Sequence, residues 1–554
     1  VNFRQNLALQ QTHQRSWLQN PAIGALASAL LAIVLYSVTL AGTYVYDDVM
    51  IVRDDPRVRQ PSQWIRLWKT DYFDGGIDNL YRPITSSSYA LEWWLHGDRP
   101  WIFHGINILL HALAAAAVAE FTGRALNKKG QASSAPDAGS EVLRRAGLPC
   151  DGAQSTANTA GLCAGLLFAA HPVHVEAVAN IVGRAELLCT SLIFIGLILL
   201  MRRPLSIGRV ISVIAIGMFA LLCKEQGILQ PLLWLFFFLI LWRSDPATPG
   251  ERGALKMLML ITTWTWAAYL ILRERFLKFE WDRTYIDPII QPLILSHGLD
   301  RVLMPVVLIG HYTALLLWPR HLAADYGGDV IGSVAHLGDP YLWIGLTAIG
   351  IWIGAVIFCA KKFKPRFVLF CLLSLAVTYG IVGNILTLIA TNFAERLIYL
   401  PSAFFLMIVG TLLARLPTRP RIILVTLILS LASIRTVTAA RDWNDPLALF
   451  QHGLTTEPKS VQLHLLLSQE YHKHGDTKAA NATLEDLCNQ YPDYWRAWMF
   501  RAMEDMDDGN LTDADQSLKH AMKLKADPLL LGPNARLEEL KAAKRPSTRQ
   551  TGKP

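Results

Sequence analysis

The sequence is poor in charge. Only 17% of its 554 residues are Asp, Glu, Lys or Arg, against 52% hydrophobic. A soluble chain of this length carries more charge and shorter apolar runs, so a wholly water-soluble protein is excluded. Cysteine is scarce too: there are seven, none in a CxxC pair and most in or beside apolar runs. No disulfide framework or metal site is implied, and the thiols read as small core residues. The first apolar run, Pro21 to Ala41, lacks a small-residue cleavage site after it and is too long for a signal peptide; it reads as a retained anchor. The net charge of +8 sits mostly in short basic clusters between runs, the positive-inside pattern, so nucleic acid is not an expected partner.

What the chain has in abundance is apolar length. Runs recur near residues 22–43, 103–123, 158–172, 187–201, 207–222, 228–242, 257–273, 301–318, 341–360, 367–390, 397–414 and 421–438. Each is close to the length that crosses a hydrocarbon core, which predicts an all-α polytopic membrane protein. The basic residues Arg4 and Arg15, then Arg124, Lys128, Lys129, Arg144 and Arg145, then Arg202 and Arg203, and then Arg243, Arg252 and Lys256 fall on one side if every early run crosses. That side is cytoplasmic. The run 301–318, with Pro305, Gly310 and His311, suits a lateral or re-entrant helix, which returns the later cluster from Lys361 to Arg366 to the cytoplasm. The expectation is about eleven spans in a membrane domain over 22–438. It is preceded by a cytoplasmic segment 1–21 and carries a first outside loop 44–101 and a flexible cytoplasmic linker 125–158. The Trp and Tyr density of the first loop suits amphipathic helices lying at the interface.

After Thr438 the composition turns to soluble helix and a repeat appears. Pro458 and Pro492, Gly475 and Gly509, Ala480 and Ala514, and Leu484 and Leu518 are each 34 residues apart. That period predicts a tetratricopeptide α-solenoid over 439–527, with a half-repeat 441–458, repeats near 461–494 and 495–528, and a tail 529–554.

The candidate chemistry lies on the outside. "YVYDD" at 44–48 places Asp47 and Asp48 at the exit of the first run, where a carboxylate is held at fixed depth and can serve as a general base. Asp54 and Asp55 read as solvated loop acids. Arg82 in "YRPIT" reads either as a partner for the acids or an anion, or as an interfacial anchor. "HPVHVEAVANIVGRAELL" brings His171, His174, Glu176, Arg184 and Glu186 to one turn; Pro172 and the lack of a third well-spaced ligand argue against a metal. "CKEQG" adds Lys224 and Glu225 at a second turn, and "TNFAERLIYLPS" adds Glu395 and Arg396 at a third. Three turns of mixed sign on the side of the acid pair point to a shared polar pocket. A carboxylate base with Lys and Arg suits a substrate with a phosphate leaving group, and a lipid phosphate explains a site at a membrane face.

These same strings, "YDD", "YRPIT", "FHGINILLHAL", "GLLFAAHPVHVEAVANIVGRAELL", "LLCKEQGI", "AADYG" and "ERLIYLPS", stand ahead of tetratricopeptide repeats. In this order, over about residues 22 to 525, the chain resembles the transmembrane and tetratricopeptide repeat-containing family of protein O-mannosyltransferases, membrane enzymes of the GT-C class. The resemblance implies an inverting transferase that takes a sugar, mannose in the family, from a polyprenyl- or dolichyl-phosphate donor to a hydroxyl acceptor, a protein Ser or Thr. It implies Asp47 as base with Asp48 beside it, and Lys224, Arg184 and Arg396 on the donor phosphate. Arg82, His171, His174, Glu176, Glu186, Glu225 and Glu395 are supporting or substrate-binding candidates. No divalent metal is expected. The partners implied are membrane lipid, the lipid-linked donor, and an acceptor polypeptide met by the repeats. The short array resembles a bacterial relative, which implies the inner membrane (the endoplasmic reticulum for a eukaryotic chain), with site and repeats extracytoplasmic and the N-terminus cytoplasmic. A lipid or polysaccharide acceptor, and a non-catalytic scaffold, remain the competing readings.

Overall fold

The computed structural model describes residues 21–74, 80–131, 152–242, 249–277, 288–289, 291–327, 330–362, 365–386, 388–389 and 391–544. The expected N-terminal segment up to residue 20, the middle of the linker (132–151) and the end of the tail (545–554) lie outside the described residues. No strand occurs among the described residues. The chain forms two compact units, one of Val1–Ile286, Leu293–Leu322 and Ser333–Asp445, the other of Asp287–Pro292, Ala323–Gly332 and Pro446–Pro554.

The first unit contains α1 (Pro21–Tyr36), α2 (Pro83–His96), α3 (Pro100–Gln131), α4 (Gly152–Ala170), α5 (Val175–Ala179), α6 (Arg184–Leu200) and α7 (Ile207–Cys223). It continues with α8 (Gln230–Phe236), α9 (Pro249–Leu277), α10 (Asp300–Leu317), α11 (Pro340–Lys362), α12 (Arg366–Gly380), α13 (Tyr399–Leu413) and α14 (Thr418–Asp442). Among the described residues nine helical stretches are long and apolar enough to cross a membrane, ten if a bent pair counts as one span. Two shorter apolar helices, Ile207–Cys223 and Arg366–Gly380, complete the set. Each apolar run of the sequence has a helix at its centre, and the run 367–390 is helical only as far as Gly380. The run expected to be re-entrant forms the unbroken α10, which passes the same test of length and composition as the others. A bend falls at His171, where Gln154–Ala170 and Pro172–Ala179 meet at 54°; Pro172 begins the new turn because its missing N–H and fixed φ suit a first helical position.

Small residues explain why α1, α3, α4 and α13 pack closely. A Cβ on Gly161 would stand 2.5 Å from the Ala119 carbonyl oxygen, and one on Gly165 2.6 Å from the Ala119 Cβ. One on Gly410 would stand 2.7 Å from the Ala164 nitrogen. Hydrocarbon gives helices no hydrophobic reason to associate, so such backbone approach supplies van der Waals contact in its place. Helices α9, α11 and α14 keep large apolar side chains outward, among them Trp264, Ile351 and Ile423, as lipid-facing surface requires.

The loop between α1 and α3 folds around Arg57. Its guanidinium is buried and reaches Asp55 at 2.7 Å, the Thr70 hydroxyl at 2.7 Å, and the carbonyls of Asp71 and Tyr72 at 2.7 and 2.9 Å. Asp55 is therefore not a solvated loop acid: it is 4% exposed, caps the turn Pro56–Arg59 and neutralises Arg57. Asp54 does lie at the surface, paired with Arg53. Ile65 and Trp68 of the turn Pro61–Trp68, with Leu91, Trp94 and Leu95 of α2, are exposed. They form the apolar faces expected of helices at an interface.

The second unit contains α15 (Pro446–Thr456), α16 (Val461–Lys473), α17 (Thr477–Gln490), α18 (Trp495–Asp507), α19 (Leu511–Leu524) and α20 (Leu531–Lys544). Gly475 and Gly509, one repeat apart, take φ of +78° and +79° at the two hairpin turns, where a Cβ is strained. Ala480 and Ala514 are fully buried between paired helices, and Leu484 and Leu518 beside them. Part of the segment read as tail forms α20, whose Leu537 closes the apolar core of the second repeat.

Candidate active site

Four short turns build the site, and each motif has a local reason for its shape. In "YVYDD", Tyr46 takes a left-handed φ of +59°. A bulky residue held there costs about 1–3 kcal/mol. Asp48 points inward and is fully buried. Its carboxylate accepts backbone N–H bonds from Val182 at 2.8 Å, Ile181 at 3.1 Å and Val45 at 3.4 Å. Burial pushes this carboxyl up to about 8 against the pull of those amides. Asp48 thus clasps the turn Ile181–Gly183 to the exit of α1. Asp47 is half-buried, and its charge acts on Arg396.

In "YRPIT", Pro83 opens α2 and fixes Arg82 just before it. The Thr85 hydroxyl donates to the Cys223 carbonyl at 2.9 Å, tying α2 to the end of α7. Arg82 forks onto Glu225 with contacts of 2.9 to 3.2 Å. In "CKEQG" the backbone of Lys224 is extended, and its ammonium pairs with Glu186. Burial first, then Arg82, hold that ammonium well below the usual lysine range. In "ERLIYLPS" the Arg396 backbone N–H and one guanidinium nitrogen both bind the buried Glu176, at 2.7 and 2.6 Å. Its other guanidinium nitrogens make no hydrogen bond among the described residues.

The structure therefore links Arg82, Glu176, Lys224, Glu225 and Arg396 electrostatically, with Asp47 joined through Arg396 and Glu186 through Lys224. Four other candidates stand apart. Arg184 is 1% exposed and spends its donors on Glu92 at 2.5 Å, Asn107 at 2.9 Å and the Phe103 carbonyl at 3.1 Å. That places it as a strut between α6, α2 and α3. His174 lies fully buried between the Phe168 carbonyl and the Ser402 hydroxyl, at 2.8 and 2.7 Å. His171 binds the Leu316 carbonyl at 3.1 Å. His174 sits in an aromatic cluster with Phe168, Tyr399 and His111, and His171 packs against His174. Glu395 is buried, its charge acting on Tyr36 and Tyr312. No group of three or more His, Cys, Asp or Glu able to hold a metal occurs among the described residues.

Residues missed from sequence are the buried partners. Asn107, inside an apolar helix, donates to the carbonyls of Asn180 and Ile181, each at 3.1 Å. Glu92 neutralises Arg184. Tyr72 lies under Arg82. A lone Asn or Glu in an apolar stretch was the available signal, since such residues face the protein interior.

Comparison with known proteins gives the family context. The chain is 26% identical over 480 residues to a Caenorhabditis elegans protein O-mannosyl-transferase, covering 84% of this chain and 62% of that protein. It is 26% identical to human protein O-mannosyl-transferase TMTC4, covering 81% of this chain and 64% of the other. It is 25% identical to Drosophila melanogaster protein O-mannosyl-transferase Tmtc3, covering 77% and 51%. The chain spans less than two thirds of the length of these relatives. No family model matches it, and no solved structure does. Over most of its length, then, the chain is similar to proteins named as protein O-mannosyl-transferases of the TMTC type.

Proposed function

We propose that the chain is a membrane glycosyltransferase that moves a sugar from a polyprenyl-phosphate carrier to a protein Ser or Thr hydroxyl on the extracytoplasmic face. Mannose is the sugar in the naming of its relatives. Asp47 takes the proton of the acceptor hydroxyl as its oxygen bonds to the anomeric carbon. The bond from that carbon to the phosphate oxygen breaks on the opposite face, and polyprenyl phosphate leaves with the bonding pair, so the configuration inverts. Arg396, with Arg82 and Lys224, meets the charge that grows on the phosphate. Asp48 and Arg184 hold the turns on which these groups stand. The repeats receive the acceptor polypeptide, and the N-terminus is cytoplasmic.

The observation that carries this reading is the half-buried Asp47 within reach of Arg396, whose guanidinium is bound to Glu176 on one side only. Purified protein supplied with radiolabelled polyprenyl-phosphate mannose and a Ser/Thr-rich polypeptide tests it. Transfer to the polypeptide is expected, with a loss of about 10²–10⁴-fold in Asp47→Asn. Unchanged transfer in that variant overturns the assignment of the base. Label in lipid or polysaccharide rather than polypeptide moves the acceptor to the competing class.

A further inference from the structure

We infer that Tyr72 is a positioning residue for the donor: its ring holds the Arg82 guanidinium toward the lipid phosphate. The inference rests on the donor reading above. The Arg82 guanidinium carbon stands 5.1 Å from the centre of the Tyr72 ring, within the range of cation–π attraction. Glu225 takes Nε and Nη2 at the edge of the guanidinium, so a ring and a carboxylate together hold it. The remaining nitrogen, Nη1, makes no hydrogen bond among the described residues. Arg82 keeps 15% of its side chain exposed, against 1% for Arg184, so it is the arginine of the two that a phosphate can reach.

Tyr72 itself cannot drift. Its backbone N–H donates to the Leu80 carbonyl at 2.8 Å, and its carbonyl accepts from Arg57 at 2.9 Å. Its hydroxyl lies 3.4 Å from that of Tyr89, which donates to the Ile181 carbonyl on the turn that Asp48 clasps. Asp47, Asp48 and Arg82 all act on the Tyr72 phenol, which burial keeps neutral. One ring thus joins the acid turn to the first donor-side cation. The ring face, not the hydroxyl, touches Arg82, and this separates two substitutions.

Wild type, Tyr72→Phe and Tyr72→Leu are compared in lipid nanodiscs, titrated with polyprenyl monophosphate and read by tryptophan fluorescence. Donor KM, kcat and melting temperature are measured alongside. Tyr72→Phe is expected to bind within about twofold of wild type, and Tyr72→Leu about tenfold more weakly, as loss of a desolvated cation–π contact implies. Donor KM follows the same order while kcat stays level. A merely structural residue would lower melting temperature and active fraction together and leave KM alone; that pattern overturns the inference. So does a Tyr72→Phe variant as weak as Tyr72→Leu, which would shift the role to the hydroxyl. Equal binding by all three overturns the role of Tyr72 and spares the donor reading. Absence of binding in wild type overturns both.

Discussion

Exchanging each acid of the "DD" pair for its amide separates a structural carboxylate from a reactive one. Asp48→Asn keeps the shape of the side chain but leaves one acceptor oxygen where three backbone N–H groups converge. The least costly rotamer aims the new oxygen at Ile181 and Val45 and turns the NH₂ toward Val182, which retains the Asn180 oxygen at 3.2 Å. One buried donor-to-donor contact remains, worth about 1–3 kcal/mol, a fall of a few degrees in melting temperature. The effect depends on pH. The Asp48 carboxyl is raised from its ordinary value of 3.8 to about 8 in the folded chain, so the folded state binds the proton more tightly than the unfolded one. The stability this group contributes is therefore full below about pH 4 and declines as pH rises to about 8. Asparagine does not titrate, so the deficit of Asp48→Asn is largest below about pH 4 and shrinks as pH rises to about 8. Tryptophan-fluorescence melts of the solubilised protein across that range read both effects. Asp47→Asn, at a half-buried side chain that takes no part in the clasp, is expected to melt closer to wild type than Asp48→Asn does. Coincident melts for Asp48→Asn and wild type, or a deficit that grows with pH, would refute the reasoning.

Other perturbations test other links. Gly165→Leu drives a side chain into Ala119 and Ser28; loss of the monodisperse peak in size-exclusion chromatography is expected, while Gly350→Leu, which meets nothing within 4 Å, leaves it intact. Glu176→Gln removes the charge that holds Arg396 and should lower kcat/KM for transfer by about tenfold or more, a loss of about 1.4 kcal/mol of transition-state stabilisation; an unchanged ratio would detach Arg396 from the reaction. In the repeat unit, burial and then Asp325 raise the Glu457 carboxyl to about 7. Its stabilising contribution is thus full below about pH 4.5 and lost as pH rises through about 7. Hydrogen exchange in α16 should quicken over that window in wild type and stay level in Glu457→Gln.

The sequence by itself determined the architecture, because its signals are local and periodic. Apolar runs of spanning length became helices, and a 34-residue period placed Gly475 and Gly509 in equivalent left-handed turns. The turns bearing Asp47, Arg82, Lys224 and Arg396 were legible as motifs. Only tertiary structure decided which charges are committed to the fold and which face the site, since the partners are far apart in the chain. Arg184 meets Asn107 across 77 residues and Arg396 meets Glu176 across 220. Spacing along the chain carries no trace of such pairs. Burial then turns identical side chains to different ends: Asp48 is spent on three amides and Asp47, its neighbour, is left beside Arg396. Asp55, read as a solvated acid, is buried because Arg57 needed a counter-charge in the core of its loop. A buried cation is tolerated only where a carboxylate or carbonyl reaches it, and only the folded chain brings the two together.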